Sequence, residues 1–186
     1  MEKYIIIDNF LEKNLFLKLK NIFFPKSINQ EKLPWSYQNG IVRNPELGAT
    51  NYKEYDWMYV HSFMNSQIKE ESDFIYLIKP IFEKLNSAKI IDARANLLIP
   101  TKKQIYHENH VDRKIPHNVA LFYVTTNNGF TLLNDNKKIE CLENRILIFD
   151  GSIYHRSVSS TDRVRCVINI NYFPINKKNN LLFDYK

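Results

Sequence analysis

Only four glycines occur among 186 residues, too few for a glycine-rich loop that would cradle a phosphate. The two cysteines, Cys141 and Cys166, sit in apolar, strand-like surroundings and show none of the paired spacings of a structural zinc site. They are expected to be buried thiols rather than a disulfide. No apolar run approaches the roughly 18 residues that a membrane-spanning helix needs, so no membrane partner is expected. Glu2 and Asp8 flank the short apolar run Tyr4 to Ile7, which does not read as a signal peptide; the expectation is an intracellular, cytoplasmic chain. What is present is 44% hydrophobic and 13% aromatic residues, ample for a packed core, at a length that fits one domain. The net charge of +6 invites a nucleic-acid reading, but the lysines are scattered. Their pairs, Lys102-Lys103, Lys137-Lys138 and Lys177-Lys178, all read as turns, so solvated loops are the favoured account and the basic surface is merely compatible with nucleic acid.

The chain begins with a strand, Tyr4 to Ile7, followed by a helix whose cap is read at Asn9, with Glu12 three residues on in a capping box. Leu11, Leu15, Leu19 and Ile22 recur at helical spacing, and Pro25 ends the helix by Phe24. Lys26 to Tyr55 is irregular, with Pro34, Pro45, Trp35 and Tyr37, and is expected to cover a functional site as part of a substrate mouth. A strand from Trp57 to Phe63 comes next. A second helix from about Ser72 carries Phe74, Leu77, Ile78, Ile81 and Leu85 on one face, with Pro80 expected to kink or divide it. Beyond Asn86 the period becomes that of strands, at 90–99, 105–107, 118–125, 130–133, 138–142, 145–149, 156–158 and 164–173. Asn127-Asn128-Gly129 and Asn134-Asp135-Asn136 read as hairpin turns. Eight short strands without intervening helices point to a barrel or jelly roll, most simply a β-sandwich with two helices packed on it.

Within this sheet region His110-Val111-Asp112 sets out two metal-ligand side chains two residues apart. At a strand end they would point the same way, with Val111 turned into packing. Two histidines and one carboxylate can occupy one face of an octahedral metal and leave three positions open, the arrangement of non-haem Fe(II) oxygen chemistry. Of the remaining histidines, His155 is favoured by position: it follows the apolar run Ile146 to Phe149 and the turn Asp150-Gly151-Ser152. His107 reads as a strand or loop histidine, and His117, after Pro116, is a further candidate to reach the site. Arg165, Val167, Asn169 and Asn171 share one face of the last strand. A buried arginine on such a face needs an anionic partner, which a dicarboxylate co-substrate would supply. Arg163 lies on the same face and is the alternative. Asn169 and Asn171 are read either as supports for that co-substrate and the substrate face or as structural hydrogen-bonding groups.

His110-Val111-Asp112, His155 and Arg165 resemble the HxD…H…R signature of the Fe(II)- and 2-oxoglutarate-dependent oxygenases. The opening Tyr4 to Phe10 with its helix and the closing Arg163 to Phe173 are similar to small viral and bacterial members of the prolyl-4-hydroxylase-like group. Asn127 to Leu132, and Phe149 to Ser152 with His155-Arg156, resemble phage-encoded members in particular. The resemblance implies a mainly β (α+β) chain with the double-stranded β-helix, or jelly-roll, fold and N-terminal packing helices. It implies one domain over 1–186, with 1–87 as helical support and substrate-mouth segment and 88–175 as the β-helix core. It further implies that His110, Asp112 and His155 bind Fe(II) and that Arg165 holds the distal carboxylate of 2-oxoglutarate, with Tyr123 hydrogen-bonding that same carboxylate. The activity implied is O2-dependent hydroxylation coupled to decarboxylation of 2-oxoglutarate to succinate, which needs positioning and exclusion of water rather than a general base. A peptidyl residue such as proline is the expected substrate; a nucleobase or free small molecule is the alternative, and the oligomeric state is left open. The similarity to phage members, with the Asn, Lys and Ile bias, points to a host cytoplasm. Two readings from other classes stand beside this one: a cupin-like or hydrolytic metal site, for which Arg165 has no use, and a jelly-roll binding module, for which the triad has none.

Overall fold

In the computed structural model, which describes residues 4–41, 57–134 and 136–175, the opening strand forms as β1 (Tyr4–Ile7) and the first helix as α1 (Lys13–Phe23). The helix starts later than a cap at Asn9 would place it. Asn9 takes a φ of 51° and turns the chain, and Phe10 and Leu11 enter the core at 5% and 2% exposure. Glu12 stands at the helix boundary without a side-chain cap, so the capping box does not form. Burying two large apolar side chains outweighs a cap worth about 1 kcal/mol. The helix accordingly buries Phe16, Leu19, Ile22 and Phe23, while Leu15 is turned away from that face and exposed.

The stretch expected to be irregular contains a short strand, β2 (Ser36–Asn39); only Gln38 of it is buried, which leaves little periodic signal. Residues 42–56 of the same stretch lie outside the described residues. β3 (Trp57–Asn65) and the two-residue β4 (Glu70–Glu71) follow. The second helix is divided near Pro80 as expected, into a 3-10 helix at Asp73–Leu77 and α2 (Lys79–Lys84). Ser72 caps the first piece by accepting from the Phe74 amide at 3.1 Å, and Pro80 occupies the first turn of the second, where its missing N–H breaks no helical bond.

The remaining strands are β5 (Ser87–Leu98), β6 (Asn118–Tyr123), β7 (Phe130–Leu133), β8 (Lys137–Glu140), β9 (Arg145–Asp150), β10 (His155–Val158) and β11 (Arg165–Pro174). Residues 105–107, expected as a strand, contribute a single bridge between Tyr106 and Val158. The strands form a large antiparallel sheet in the order β1-β9-β6-β11-β5-β3-β2, with β4 paired to β3, and a small sheet in the order β10-β7-β8. Asn134, at a φ of 48°, turns the β7–β8 hairpin. Asn127-Asn128-Gly129 makes a corner instead of the expected hairpin, because β6 belongs to the large sheet and β7 to the small one. There the Gly129 amide donates to Asn127 Oδ1 at 2.9 Å, and a Cβ on Gly129 would stand 2.8 Å from the Val158 carbonyl oxygen. Lys137 and Lys138 lie in β8 rather than in a turn, exposed on the small sheet; Lys102 and Lys103 are in a loop, and Lys177-Lys178 lie outside the described residues.

Two cores follow from the alternation of side chains along the central strands. One face of the large sheet, with Ala93, Ala95, Ala120, Phe122, Ile168 and Ile170, packs on the helices. The opposite face, with Val119, Leu121, Tyr123 and Val167, meets Leu133, Ile139 and Cys141 beside the small sheet. β11 is buried from Arg165 to Tyr172 because both its faces are covered. The polar residues of its inner face therefore point between the sheets, and the candidate site is built there.

Candidate metal centre

β10 begins at His155, and His155 pairs with His110 across two backbone bonds, amide to carbonyl in both directions, at 3.0 and 2.9 Å. This bridge sets the two imidazoles side by side with ring centroids 4.6 Å apart. In the tautomer that these contacts favour, each ring donates Nδ1–H to the carbonyl two residues before it: His110 to Glu108 at 3.1 Å and His155 to Ile153 at 3.2 Å. Both Nε2 atoms face Asp112 Oδ1, at 3.4 and 3.6 Å, free to bind a metal in that tautomer and able to donate to the carboxylate when they carry a proton. The three donor atoms lie within 4.8 Å of one another, and two imidazoles with one carboxylate are the donor set of a facial triad.

Asp112 has a side chain only 6% exposed. Burial alone would raise its carboxyl, but hydrogen bonding and charge attraction from His110 and His155 outweigh burial and hold it well below the usual carboxylate range. Its second oxygen, Oδ2, accepts from Asn169 Nδ2 at 3.0 Å, which leaves Oδ1 directed at the imidazoles. Val111 is only half-buried and borders a cavity, a departure from the expected packing role, because the chain at 111–113 is irregular rather than a strand end. Phe149 supports His155 from the core, edge to face at 4.9 Å.

Two cavities meet at this cluster. The inner one, of about 50 Å³, reaches down to Thr131, Ser157, Arg165 and Asn169; the outer one, of about 500 Å³, opens between β3, β5 and Val111. His110, Arg94 and Ile41 border both. Arg165 is 4% exposed and donates through Nη2 to Thr131 Oγ1 at 3.0 Å, while its Nε has no hydrogen-bond partner. Among the described residues no carboxylate forms an ion pair with it. A buried guanidinium in that state is chemically able to take an anion. Arg163, the alternative in sequence, is exposed.

Tyr123 is fully buried behind Thr131, to which its hydroxyl donates at 2.8 Å; burial pushes its phenol up. Thr131, not Tyr123, borders the inner cavity. Thr131 was not singled out in the sequence. The available signal was a hydroxyl at a buried position of the otherwise apolar run Phe130-Thr131-Leu132-Leu133. The other histidines stand apart from the cluster. His117 is fully buried beneath Gly151 and bonded through Nδ1 to the Ile115 carbonyl at 2.7 Å. His107 bonds Ser157, and His61 bridges the Pro34 carbonyl and Ser72 Oγ at 2.8 and 2.9 Å. Asn171 donates to Asp92 Oδ1 at 3.0 Å, and Arg113 holds the other oxygen of the same carboxylate.

No protein-family model matches the chain, and no curated protein sequence matches it. Solved structures do. The viral collagen prolyl hydroxylase of Paramecium bursaria Chlorella virus-1, in its 2-oxoglutarate complex, is similar with a TM-score of 0.56 at 15% identity, over 91% of this chain and 95% of that one. A 2-oxoglutarate–Fe(II) oxygenase family oxidoreductase from Burkholderia pseudomallei is similar with a TM-score of 0.64 at 9% identity, over 97% and 89%. A Trichoplax adhaerens prolyl hydroxylase, in complex with a hypoxia-inducible-factor peptide fragment, is similar with a TM-score of 0.60 at 15% identity, over 93% and 84%. The fold is that of the Fe(II)/2-oxoglutarate oxygenases, the jelly roll with N-terminal helices. Its prolyl-hydroxylase members, one of them viral, are among the structures it is similar to.

Proposed function

We propose that this chain is an Fe(II)- and 2-oxoglutarate-dependent dioxygenase that hydroxylates a peptidyl residue such as proline. The observation that carries the reading is the meeting of two cavities at the His110, Asp112 and His155 cluster, the inner one ending on a buried arginine with no carboxylate partner among the described residues. His110, Asp112 and His155 would hold Fe(II), and the donor set fits it: two imidazole Nε2 atoms and one carboxylate oxygen that is already oriented. Arg165 would take the distal carboxylate of 2-oxoglutarate, with Thr131 beside it and Tyr123 acting through the Thr131 hydroxyl. When bound, the iron, with O2 and the keto acid, supplies oxidative decarboxylation to succinate coupled to oxygenation of a C–H bond. The residues of the chain bind, orient and exclude water; none is required as a general base.

The outer cavity favours a peptide over a nucleobase. Its volume of about 500 Å³ suits an extended segment of a few residues, and among the described residues that line it none is Phe, Tyr or Trp, so no such stacking platform for a base is present there. Both cysteines are free and buried, as suits a reducing cytoplasm, where we place the reaction; none of the described helices is long and apolar enough to cross a membrane. A viral prolyl hydroxylase among the similar structures fits a phage-encoded protein working in its host.

The test is succinate formation with Fe(II), 2-oxoglutarate and a library of proline-containing peptides, read together with the mass of the peptide. We expect succinate release matched by a mass gain of one oxygen atom in a subset of peptides, both abolished in His110→Ala. Full turnover in that variant would remove the assignment, and a modified nucleobase without any modified peptide would replace the substrate.

A further inference from the structure

We infer that Arg94 forms a carboxylate-binding subsite in the outer cavity, and that the substrate peptide presents an acidic group to it. This rests on the reading that the His110, Asp112 and His155 cluster is the reacting centre. The charges bordering the outer cavity can be accounted for one by one. Asp112 faces the two histidines and is held by Asn169. Asp92 is taken on one oxygen by Arg113 and on the other by Asn171. That leaves Arg94, half-buried, whose guanidinium makes no hydrogen bond or ion pair with any described residue. The rest of the lining is neutral, polar at Gln38, Ser62 and Asn65 and apolar at Val60, Met64 and Val111. Formally the two aspartates and two arginines of the lining balance, and among the described residues the Arg94 guanidinium is the charge that no side chain engages.

The register puts that guanidinium close to the chemistry. Arg94 is paired with Ser62 on β3 on one side and with Asn169 on β11 on the other. Asn169 in turn holds the Asp112 carboxylate, so Arg94 stands one strand spacing, about 4.8 Å, from the residue that orients a metal ligand. It borders both cavities, but the inner one already contains Arg165 for the co-substrate. A second arginine facing outward is matched to a group on the substrate, and its planar fork suits a carboxylate held by two parallel bonds. The carboxylate can come from an acidic side chain next to the hydroxylated residue or from the C-terminus of the peptide.

The experiment measures peptide binding to the protein loaded with Fe(II) and 2-oxoglutarate under anaerobic conditions, where no turnover occurs. The probes are a blocked pentapeptide with a central proline flanked by two glutamates, the same peptide with glutamines, and the glutamine peptide with a free C-terminal carboxylate. The wild type is expected to bind the glutamate peptide about tenfold more tightly than its glutamine counterpart, as one charge-assisted contact provides. Arg94→Gln should erase the difference, Arg94→Lys should keep part of it, and 2-oxoglutarate affinity should be unchanged in both; thermal unfolding of each variant reports its folding. Tight binding of the free-terminus peptide would assign the carboxylate to a chain end, and weak binding to a side chain. Equal binding of all three peptides by the wild type, a preference that survives in Arg94→Gln, or a loss of 2-oxoglutarate affinity in its place would overturn the subsite. Failure of the oxygenase reading shows separately, as absence of any keto-acid complex with iron in the wild type.

Discussion

Asn169 never faces the open side of the metal cluster as a donor, yet it decides which oxygen of Asp112 does. Arg165 has a comparable position at the other end of the inner cavity, where Thr131 fixes its Nη2 and its Nε is left without a partner. Removing a buried cation from a charge pair costs about 2–5 kcal/mol of binding, roughly thirtyfold to a thousandfold or more in affinity. Arg165→Ala should therefore raise the 2-oxoglutarate dissociation constant by that factor while leaving Fe(II) affinity nearly unchanged. Arg163→Ala, at an exposed position, should change neither, and isothermal titration of the two variants checks both statements. An unchanged 2-oxoglutarate affinity in Arg165→Ala would transfer the clamp elsewhere. The residues on which these contacts depend were unequally visible in the sequence. His110, Asp112, His155 and Arg165 carry their chemistry in their type and spacing. Asn169 is legible as a polar residue on the Arg165 face but not as the partner of Asp112, and Thr131 and Arg94 are ordinary strand residues until the strands are set beside each other, because what matters is the register that pairs Arg94 with Asn169, and Thr131 with Ser157 on β10.

The turn between β9 and β10 delivers His155, and its tolerance is narrow. A Cβ at Gly151 would come within 2.2 Å of the His117 ring, which is fully buried and cannot retreat. Gly151→Ala is expected to cost about 1–3 kcal/mol, a drop of several degrees in thermal midpoint, and to weaken Fe(II) binding through displacement of His155. Wild-type midpoint and iron affinity in that variant would contradict the packing account. On the helix side of the large sheet, His61 ties the Pro34 carbonyl to Ser72 and so joins the approach to β2 to the 3-10 helix. Burial lowers the His61 pKa from 6.5, against the opposing effect of the Pro34 hydrogen bond. A histidine depressed in the folded state is protonated first in the unfolded chain. Its contribution is complete above a pH of about 6.5 and is lost as pH falls from there towards the lower folded value. Midpoints measured from pH 7.5 to 5.5 should fall in the wild type and fall less in His61→Gln; parallel profiles would exclude His61 as the source. Most elements were legible where alternation or helical spacing was strong, including the division at Pro80. The helix start at Asn9 and the hairpin at Asn127 were misread for one reason. In both places the local turn chemistry is real, but burial of Phe10 and Leu11 in the first case and the change of sheet in the second decide where the chain goes.

At the scale of the molecule the chain divides its labour between the two faces of one sheet. The helix-side core is continuous and apolar, and its central strands alternate without interruption between that core and the space between the sheets. The polar inner positions, Asp92, Arg94, Asn96, Asn169 and Asn171, would be poor choices for a structure selected for stability alone; they line the two cavities that meet at His110. Asn96 Oδ1, Asn169 Oδ1 and Arg165 Nε are buried there without protein partners, which is the condition of a site arranged to receive a polar guest. The resemblance in His110-Val111-Asp112, His155 and Arg165 and the fold shared with solved oxygenases converge on this one space, although identity to those structures is no more than 15%. The most direct measurement is an anaerobic titration of the metal-free protein with Fe(II) and then 2-oxoglutarate, followed in the visible region. The account predicts a weak metal-to-ligand charge-transfer band that requires both additions and is missing in Asp112→Ala. A folded protein that binds Fe(II) but gives no band with 2-oxoglutarate would contradict it and favour a cupin-like or hydrolytic centre, and a protein that binds no iron would be left as a jelly-roll binding module.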